Sequence, residues 1–380
     1  MTGSPGRILV VDDVEANRDL LIRRLQKLGL EAEAAAGGAE ALAMVAGGGF
    51  DVVLLDIMMP GMDGYEVLSR LKADEALRHL PVIMISAVEE LGSVVRCIEL
   101  GAEDYLPKPF NPVILKARVS ASLDKKRLRD RERLYAASLE RELEIGHEIQ
   151  KGFLPEALPA LDGWDLAARF APARQVAGDF YDAFAVAGGL TMLVVADVCG
   201  KGVGAALYMA LFRSLIRAAA TGAEGDPDRI LACAARTTND YIATVHERSS
   251  MFATAFLGIV DPGSGEFAYV NCGHDEPVLA AGGAVRARLA PTGPALGLMP
   301  GSAFRVAREA IAPGEGLLVF TDGVTEARGA GGFFGEGRLL EVPHGHSAGE
   351  WLGAVVDAVR EHAAGFEPSD DITLVALRRR

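Results

Sequence analysis

Short, continuous apolar runs alternate with helix-length amphipathic segments in the first third of the chain. Three runs are strongly apolar: Ile8–Val11, Val52–Leu55 and Val82–Ile85. Two weaker strand candidates are Glu31–Ala34 and Asp104–Leu106. Continuous rather than alternating apolar runs are typical of parallel strands that are covered on both faces. The pattern therefore predicts a doubly wound α/β domain of the (βα)5 type over residues 1–123.

A highly charged segment without helix breakers follows this domain. Residues 113–145 contain neither glycine nor proline, and apolar residues recur there at roughly helical spacing. This pattern predicts a helical linker over residues 124–155 that extends the last helix of the first domain. The imperfect heptad leaves two interpretations open: a coiled coil that forms a homodimer, or a solvated single helix that bridges two domains. We favour the coiled coil.

The rest of the chain, residues 156–380, is richer in predicted strands than in helices. Its apolar runs predict eight strands, at 166–170, 179–186, 191–198, 252–260, 266–271, 278–281, 316–321 and 372–377. Longer segments predict three helices, at 204–221, 227–245 and 347–363. This order of elements predicts an α+β sandwich whose helices lie outside the sheets.

Composition argues against several classes of function. The net charge of −14 disfavours direct binding to nucleic acid or to anionic membranes. We find no stretch with the roughly 18 apolar residues that span a bilayer, and the short polar N-terminus does not resemble a signal peptide. The four cysteines form no CxxC pair, so we expect a reduced, cytoplasmic protein.

Polar residues gather where the predicted strands of the first domain end. Asp12 and Asp13 follow the first strand, Asp56 the third, Ser86 the fourth and Lys108 the fifth. The carboxyl ends of the strands form the ligand-binding edge of an open α/β sheet. Three carboxylates there can hold one Mg²⁺, and the lysine can neutralise a phosphoryl group placed nearby.

These residues stand in motifs whose order resembles that of two-component response-regulator receiver domains. The motifs are Asp12-Asp13, Asp56–Gly64, Ser86-Ala87 and Lys108–Phe110. The resemblance implies that a sensor histidine kinase transfers a phosphoryl group to Asp56. The implied Mg²⁺ ligands are Asp12, Asp13, Asp56 and the Met58 carbonyl. The residues implied to contact the phosphoryl oxygens are Ser86 and Lys108. Tyr105 occupies the position of the aromatic switch residue, for which ordinary packing is the alternative.

Four aspartates of the second domain lie at the edges of apolar, strand-like runs. They are Asp179, Asp197, Asp322 and Asp370. Almost no cysteine or histidine stands near them, so the ligands would be oxygens, which suit hard divalent cations. Such cations support the hydrolysis of phosphate esters.

The motifs around these aspartates resemble the PPM-type serine/threonine phosphatases, and most closely the bacterial branch typified by the stage II sporulation protein E. In order, they are Gly178–Asp182, Asp197–Gly202, Thr321–Glu326 and Asp370–Thr373. The resemblance implies a site for two Mn²⁺ or Mg²⁺ ions. It implies that Asp197 bridges the ions, that the Val198 carbonyl is a further ligand, and that Asp179, Asp322 and Asp370 complete the site. Asp371 is a further implied ligand, because the motif alone does not separate two adjacent carboxylates.

Other polar residues of this domain receive structural interpretations. Asn271–His274 matches an element of the same family, and we expect it to be structural. Asp275-Glu276-Pro277 departs from the family's usual Asn-Pro-Pro. His344 and His346 lie in a glycine-rich loop, and we expect both to be solvated.

Together these features predict a response regulator in which phosphorylation of Asp56 controls a metal-dependent protein phosphatase. We expect the signal to pass through the helices at 204–221 and 227–245. By resemblance, the substrate is a phosphorylated anti-sigma-factor antagonist of a partner-switching pathway. The alternative is an inactive adaptor that binds a partner through a vestigial phosphatase domain, which the four aspartates disfavour. The chain lacks the sequence patterns expected of a DNA-binding output or of a nucleotide-cyclase output.

Overall fold

The computed structural model of the protein describes residues 5–87 and 91–380. Internal contacts divide the chain into two compact units, with the boundary between Leu139 and Glu140. This boundary falls inside one helix, so the predicted domain limits at residues 123 and 155 remain predictions.

A five-stranded parallel sheet forms the centre of the first unit. Its strands are β1 (Arg7–Val11), β2 (Glu31–Ala35), β3 (Val52–Asp56), β4 (Val82–Ser86) and β5 (Asp104–Pro107). They lie in the order β2-β1-β3-β4-β5. The helices are α1 (Glu15–Lys27), α2 (Gly38–Ala46), α3 (Gly64–Ala73), α4 (Leu91–Glu99) and α5 (Pro112–Lys151). Alternate residues of β1, β3 and β4 enter two separate apolar clusters, which confirms the predicted doubly wound (βα)5 fold.

The burial of each strand explains how strong its sequence signal is. Every residue of β3 and β4 is buried, and such strands need continuous apolar runs. In contrast, β2 is an edge strand that alternates glutamate with alanine, and of its five residues only Ala35 is buried.

The fifth helix is 40 residues long, which corresponds to about 60 Å. It confirms the prediction that a helical linker continues the last helix of the first domain. Its exposed large apolar side chains after residue 127 are Leu128, Leu134, Tyr135, Leu139, Ile145 and Ile149. Such a row suits a helical partner, and pairing with a second copy stays a prediction.

Two antiparallel sheets pack face to face in the second unit. One contains β7 (Phe180–Val186), β8 (Leu190–Val198), β9 (Ala253–Val260), β10 (Glu266–Cys272) and β13 (Ala307–Ala310). The other contains β6 (Trp164–Ala171), β11 (Val278–Ala281), β12 (Ala284–Arg288), β14 (Gly316–Phe320) and β17 (Ile372–Arg379). The orders are β13-β10-β9-β8-β7 and β12-β11-β14-β17-β6. A cluster with members from both sheets, including Phe256 and Leu317, fills the space between them.

Helices cover the outer faces of this sandwich, as predicted. The helices on the first sheet are α6 (Val203–Gly222) and α7 (Pro227–Val245). The second sheet is covered by α10 (Ala348–His362). Between β14 and α10 the chain forms α8 (Asp322–Thr325), β15 (Arg328–Gly329), β16 (Gly332–Phe333) and α9 (Gly335–Glu341). The sequence predicted neither α9 nor the short strands β12 and β13.

The helix α6 corrects one expectation from composition. By length and mean hydropathy alone, Val203–Gly222 is apolar enough to cross a membrane. In the fold, one face of this helix packs in the core of the second unit. Two of its arginines, Arg213 and Arg217, also form ion pairs with the buried carboxylate of Asp182 on β7. Packing of one face of α6 in the sandwich therefore explains its apolar composition.

Candidate metal centres

Three carboxylates meet at the carboxyl edge of the parallel sheet in the first unit. Asp12 follows β1 and Asp56 ends β3, and both are buried, whereas Asp13 is exposed. One oxygen of each side chain lies within 4.8 Å of the others. This separation and the all-oxygen donor set fit a single Mg²⁺. A Cβ on Gly64 would lie 2.2 Å from the Asp56 carbonyl oxygen, so only glycine lets α3 start this close to the site.

Lys108 connects two of these carboxylates directly. Its Nζ lies 2.8 Å from an oxygen of Asp12 and 2.8 Å from an oxygen of Asp56. Burial raises the pKa of Asp56 above its usual value, and the hydrogen bond and positive charge of Lys108 oppose that rise. The lysine therefore favours the ionised carboxylate at this position.

The other predicted receiver residues lie at the same edge or near it. Ser86 is the buried last residue of β4, and Tyr105 lies half-buried on the neighbouring strand β5. The Met58 side chain is exposed, and its backbone N–H donates a hydrogen bond to the Asp56 carboxylate. The proposed roles of Ser86, Tyr105 and the Met58 carbonyl stay predictions.

Sequence reasoning missed Asn17. Its Nδ2 donates to both oxygens of Asp12, at 3.0 and 3.1 Å, and orients that carboxylate. The only available signal was an amide near the start of the helix that follows the Asp12-Asp13 pair.

The four aspartates of the second unit come from both sheets of the sandwich. Asp179 immediately precedes β7, and Asp197 is the penultimate residue of β8 in the same sheet. From the other sheet, Asp322 follows β14 by two residues and Asp370 precedes β17 by two. The fold therefore brings carboxylates that are up to 191 positions apart in the sequence to one edge of the sandwich.

Asp179 is the most deeply buried of the four, at 2% exposure. Its Oδ2 accepts hydrogen bonds from the hydroxyls of Thr321 and Thr373, each at 2.7 Å. Both threonines belong to the opposite sheet, so they tie the loop before β7 to that sheet. They lie inside the Thr321–Glu326 and Asp370–Thr373 motifs, yet sequence reasoning assigned them no role.

The carboxylates act on one another electrostatically. Burial and then the charge of Asp197 raise the pKa of Asp179 well above its usual value. Burial and then the charge of Asp322 raise the pKa of Asp197 to about 7, and these effects outweigh a hydrogen bond to Asp179. Burial and then Asp370 raise the pKa of Asp322. Asp179 is buried and the other three aspartates are half-buried. A divalent cation would relieve the mutual repulsion of these clustered carboxylates.

The spacing of these carboxylates differs from that of the first unit. Among residues 5–87 and 91–380, only Asp12, Asp13 and Asp56 form a group of three acidic, histidine or cysteine side chains with ligand atoms within 4.8 Å of one another. The aspartates of the second unit are spread more widely. A pair of ions about 3.5–4 Å apart needs ligands over a larger volume than one ion does, and the all-oxygen donor set fits Mn²⁺ or Mg²⁺.

The structure separates Asp370 from Asp371. Both oxygens of Asp371 accept backbone hydrogen bonds, from Ala173 N at 2.8 Å and from Gly178 N at 2.9 Å. In contrast, Asp370 forms an ion pair at 2.6 Å with the exposed side chain of Lys201. Both oxygens of Asp371 therefore already hold the loop before Asp179, and its role as a metal ligand stays a prediction. A Cβ on Gly323 would lie 2.0 Å from the Asp371 carbonyl oxygen, so glycine is required beside Asp322.

The Asn271–His274 element has the contacts of a structural motif, as expected. The buried Asn271 side chain donates to Leu289 O at 2.9 Å and accepts from His274 N at 2.8 Å. Burial lowers the pKa of His274 to about 4, so its ring is neutral. The expectation for His344 was wrong, because this residue is buried and its ring packs against Trp351 at 4.7 Å between centroids.

A cavity of about 620 Å³ adjoins Asp370. Its walls are mostly apolar and come from β6, α10 and the segment between α10 and β17. Three arginines contribute to its lining, Arg169, Arg328 and Arg360. Among the described residues, Arg169 and Arg328 have no carboxylate within 4.0 Å, whereas Arg360 pairs with Asp357 on the surface. The cavity therefore combines an apolar interior with two unpaired arginines and with the acidic side chains of Glu367 and Asp370.

The two units together define a class of protein. The first unit is a receiver fold with an aspartate–lysine site, and a long helix joins it to a sandwich with carboxylates from both sheets at one edge. This is the architecture of a receiver-linked, PP2C-like phosphatase. Residues 8–120 match the response regulator receiver domain. Residues 187–380 match the Stage II sporulation protein E (SpoIIE) family, and the chain belongs to that family.

Known proteins resemble each part of the chain. Protein IcfG of Synechocystis sp. is 41% identical over 262 residues, which are 63% of this chain and 41% of that protein. Response regulator PleD of Caulobacter vibrioides is 49% identical over 113 residues, 30% of this chain and 25% of PleD. The chain thus spans less than half the length of either relative. The SiaA-PP2C domain of Pseudomonas aeruginosa superposes with a TM-score of 0.55 and 25% identity, over 64% of this chain and 98% of that domain.

Proposed function

We propose that this chain is a two-component response regulator in which phosphorylation of Asp56 controls a Mn²⁺- or Mg²⁺-dependent serine/threonine protein phosphatase. The observation that carries the proposal is the meeting of Asp179, Asp197, Asp322 and Asp370 at one edge of a PP2C-like sandwich. The same chain also contains a receiver site in which Lys108 contacts Asp56 at 2.8 Å.

In the receiver, Asp56 would accept the phosphoryl group from a histidine of a sensor kinase. The P–N bond of the phosphohistidine breaks, and a P–O bond to the Asp56 carboxylate forms. Asp12, Asp13 and Asp56 would hold Mg²⁺, which neutralises charge on the phosphoryl oxygens when bound. Lys108 adds a second positive charge on the same side, and Asn17 keeps Asp12 oriented.

In the phosphatase, the four aspartates and the Val198 carbonyl would hold two divalent cations. When bound, such ions lower the pKa of water and stabilise charge on the phosphate. The protein's own contribution is rigidity, because Thr321 and Thr373 fix Asp179 from the opposite sheet. Lys201 beside Asp370 supplies a positive charge at the exposed rim. Water adds to phosphorus, the ester P–O bond breaks, and the serine or threonine hydroxyl and inorganic phosphate are released.

The proposed substrate is a phosphorylated anti-sigma-factor antagonist of a partner-switching pathway. Membership of the SpoIIE family supports this class of substrate by resemblance. The cavity beside Asp370, with Arg169 and Arg328 at its lining, supports a polypeptide substrate with acidic and apolar side chains. A cytoplasmic location and a homodimer through the exposed apolar row of α5 belong to the same proposal.

The test is phosphate release from a purified phosphoserine antagonist, and from p-nitrophenyl phosphate as a substrate that needs no partner recognition. We expect activity with Mn²⁺, none with chelator, and loss of turnover in Asp197→Asn. We expect acetyl phosphate to change the wild-type rate and to leave an Asp56→Asn variant unchanged. An inactive adaptor would give no metal-dependent release in any of these samples, and that outcome would replace the proposal.

A further inference from the structure

A small cavity lies at the end of the second sheet where β14 begins. Its volume is about 90 Å³, roughly the volume of three water molecules in the liquid. Five of the nine residues that line it are glycines, and its only charged side chain is that of Arg378 on β17. Sites for drug-sized ligands measure about 300–1,000 Å³, so this cavity suits an ion or molecule of only a few atoms.

The cavity is open to solvent at its rim and closed at its floor. The rim contains the exposed glycines Gly283, Gly314 and Gly345. At the buried floor, Gly316 pairs with Arg378 in the register of β14 and β17. A Cβ on Gly316 would lie 3.2 Å from the ring of Trp351, so glycine leaves room for this ring. A small solute can therefore reach the floor without displacing a side chain at the rim.

Two buried nitrogen atoms of the lining residues lack a hydrogen-bond partner among the residues that the structure describes. They are Nδ1 of His344, which is 9% exposed, and Nε1 of Trp351, which is 1% exposed. Buried polar atoms are almost always hydrogen-bonded, because an unsatisfied one lowers stability. The indole Nε1–H can only donate, so the missing partner of Trp351 must be an acceptor.

Arg378 supplies positive charge to the same cavity. One nitrogen of its guanidinium donates to Gly345 O at 2.8 Å and lies 3.5 Å from His344 O. Across residues 5–87 and 91–380, it forms no ion pair with a carboxylate. Burial and then the charge of Arg378 lower the pKa of His344. The imidazole is therefore neutral, and its Nδ1 donates in one of its two tautomers.

The acidic side chains next to the lining glycines have other partners. Glu350, in the first turn of α10, accepts a hydrogen bond from His346 N at 2.7 Å. Glu315 accepts from Ala312 N at 3.0 Å and pairs with Arg286 at 3.5 Å. The N-terminus of α10, which carries a partial positive charge, lies beside the same wall. The cavity therefore presents positive charge and hydrogen-bond donors without a carboxylate in its lining.

We propose that this cavity binds a small inorganic oxyanion of the phosphate or sulfate class, with Arg378, Trp351 and His344 as its donors. A guanidinium contacts two oxygens of such an ion at once, and the two ring nitrogens can donate to others. The bound ion would connect the turn between β11 and β12 with β17 and the first turn of α10.

This site is separate from the metal centre. The strand β14 runs from Gly316 at the cavity to Phe320, and Asp322 follows its other end. The strand alone spans roughly 15 Å. The proposal concerns binding at the opposite end of the sandwich, so it holds whether or not the chain is a phosphatase.

The experiment titrates the full chain with inorganic phosphate after removal of metal ions by a chelator, so that no cation at the aspartate sites attracts the anion. Potassium chloride keeps the ionic strength constant. A Trp164→Phe background leaves Trp351 as the only tryptophan, and its fluorescence reports binding. The melting temperature is measured in the chain with both tryptophans. Arg378→Met removes the charge and keeps a long side chain, and His344→Phe keeps the ring but removes its nitrogens. Arg360→Met, which removes an exposed arginine of α10, is the matched control.

We expect a saturable change in Trp351 fluorescence that chloride does not produce. At ten times the dissociation constant, the melting temperature of the second unit should rise by about 3–6 °C. Arg378→Met should weaken phosphate binding by about 10-fold or more, His344→Phe should weaken it less, and Arg360→Met should match the wild type.

Three results would overturn the proposal. They are a wild type without a saturable response to phosphate, an Arg378→Met variant that binds phosphate as the wild type does, and tighter binding of O-phospho-L-serine than of phosphate. The last result would assign the site to a phosphorylated side chain rather than to a free ion. If Arg378→Met does not fold, Arg378→Lys and His344→Phe decide, and unchanged phosphate affinity in both would contradict the site.

Discussion

Replacement of Asp370 and Asp371 one at a time should separate a metal ligand from a residue that holds the fold. Asp371 accepts two hydrogen bonds from backbone N–H groups at 2.8 and 2.9 Å. A hydrogen bond to a charged group contributes about 1.5–3 kcal/mol to the free energy of unfolding. Loss of both bonds in Asp371→Ala therefore removes roughly 3–6 kcal/mol before the cost of burying the charge is counted. Burial also raises the pKa of Asp371, which shows that its charge is costly to bury. We therefore expect Asp371→Ala to lower the free energy of unfolding by an amount near the lower end of this range, about 3 kcal/mol.

Asp371→Asn keeps one acceptor but turns an amide N–H towards a backbone N–H, so we expect it to cost about 2 kcal/mol. Asp370 differs, because its partner is Lys201 and the two side chains are 33% and 44% exposed. Exposed ion pairs contribute about 0–1 kcal/mol. Asp370→Asn also removes a negative charge that acts on Asp322. We therefore expect Asp370→Asn to change the stability by less than about 1 kcal/mol while it weakens Mn²⁺ binding.

Urea unfolding measures this difference selectively in the second unit. The chain has two tryptophans, Trp164 and Trp351, and both are buried in that unit. Their fluorescence therefore follows the sandwich rather than the receiver. A parallel Mn²⁺ titration of each folded variant completes the test. The assignment of Asp370 to metal binding and of Asp371 to stability is refuted by either of two results. One is an Asp371→Asn variant that is as stable as the wild type but binds no Mn²⁺, and the other is a destabilised Asp370→Asn variant with normal Mn²⁺ binding.

Folding raises the pKa of Asp197 from 3.8 to about 7, so the folded state holds a proton that the unfolded state releases. The stability that this proton contributes is complete below pH 3.8 and is lost as the pH rises through 7. The melting temperature of the metal-free protein should therefore fall between about pH 5 and pH 8 and recover with Mn²⁺ at the higher pH; a metal-free melting temperature that rises over this range would contradict the burial of these carboxylates. Arg169→Glu should raise KM for a phosphoprotein without changing p-nitrophenyl phosphate hydrolysis, since it reverses charge at the cavity but leaves the aspartates intact; an equal effect on both substrates in steady-state kinetics would refute a docking role. Asp56→Asn should abolish incorporation of label from radioactive acetyl phosphate, and retained label would place the phosphorylation elsewhere.

The sequence predicted the first unit well because its signals are local. The strands β1, β3 and β4 are buried on both faces, and continuous apolar runs are required there. The strands β12 and β13 were missed because they are short edge strands of alanine, valine, arginine and glutamate that are mostly exposed or half-buried. An edge strand needs no continuous apolar run, so its pattern resembles that of a loop.

The long helix was predictable for the opposite reason, since residues 113–145 lack any residue that ends a helix. The partner of its exposed apolar row depends on a second chain, about which one sequence carries no direct signal. In the same way, His344 stands among glycines, and its burial depends on Trp351 of α10, which the fold brings beside it.

The candidate sites were predictable as motifs but not as contacts. The motifs identify Asp179, Asp197, Asp322 and Asp370 because each lies beside a strand. The different roles of Asp370 and Asp371 depend on Gly178, which is 193 positions away from Asp371 in the sequence. The cavity that His344 and Arg378 line is another arrangement of this kind, because neither residue belongs to a chemical motif.

The most direct test of the account is a calorimetric Mn²⁺ titration of a chain whose receiver site is removed by Asp13→Asn and Asp56→Asn. We predict that this protein still binds Mn²⁺ at two sites, that Asp197→Asn abolishes the binding, and that hydrolysis of p-nitrophenyl phosphate rises with occupancy. Absence of Mn²⁺ binding at millimolar concentration, or hydrolysis that persists in chelator, would contradict the claim that the four aspartates form a metal-dependent phosphatase site.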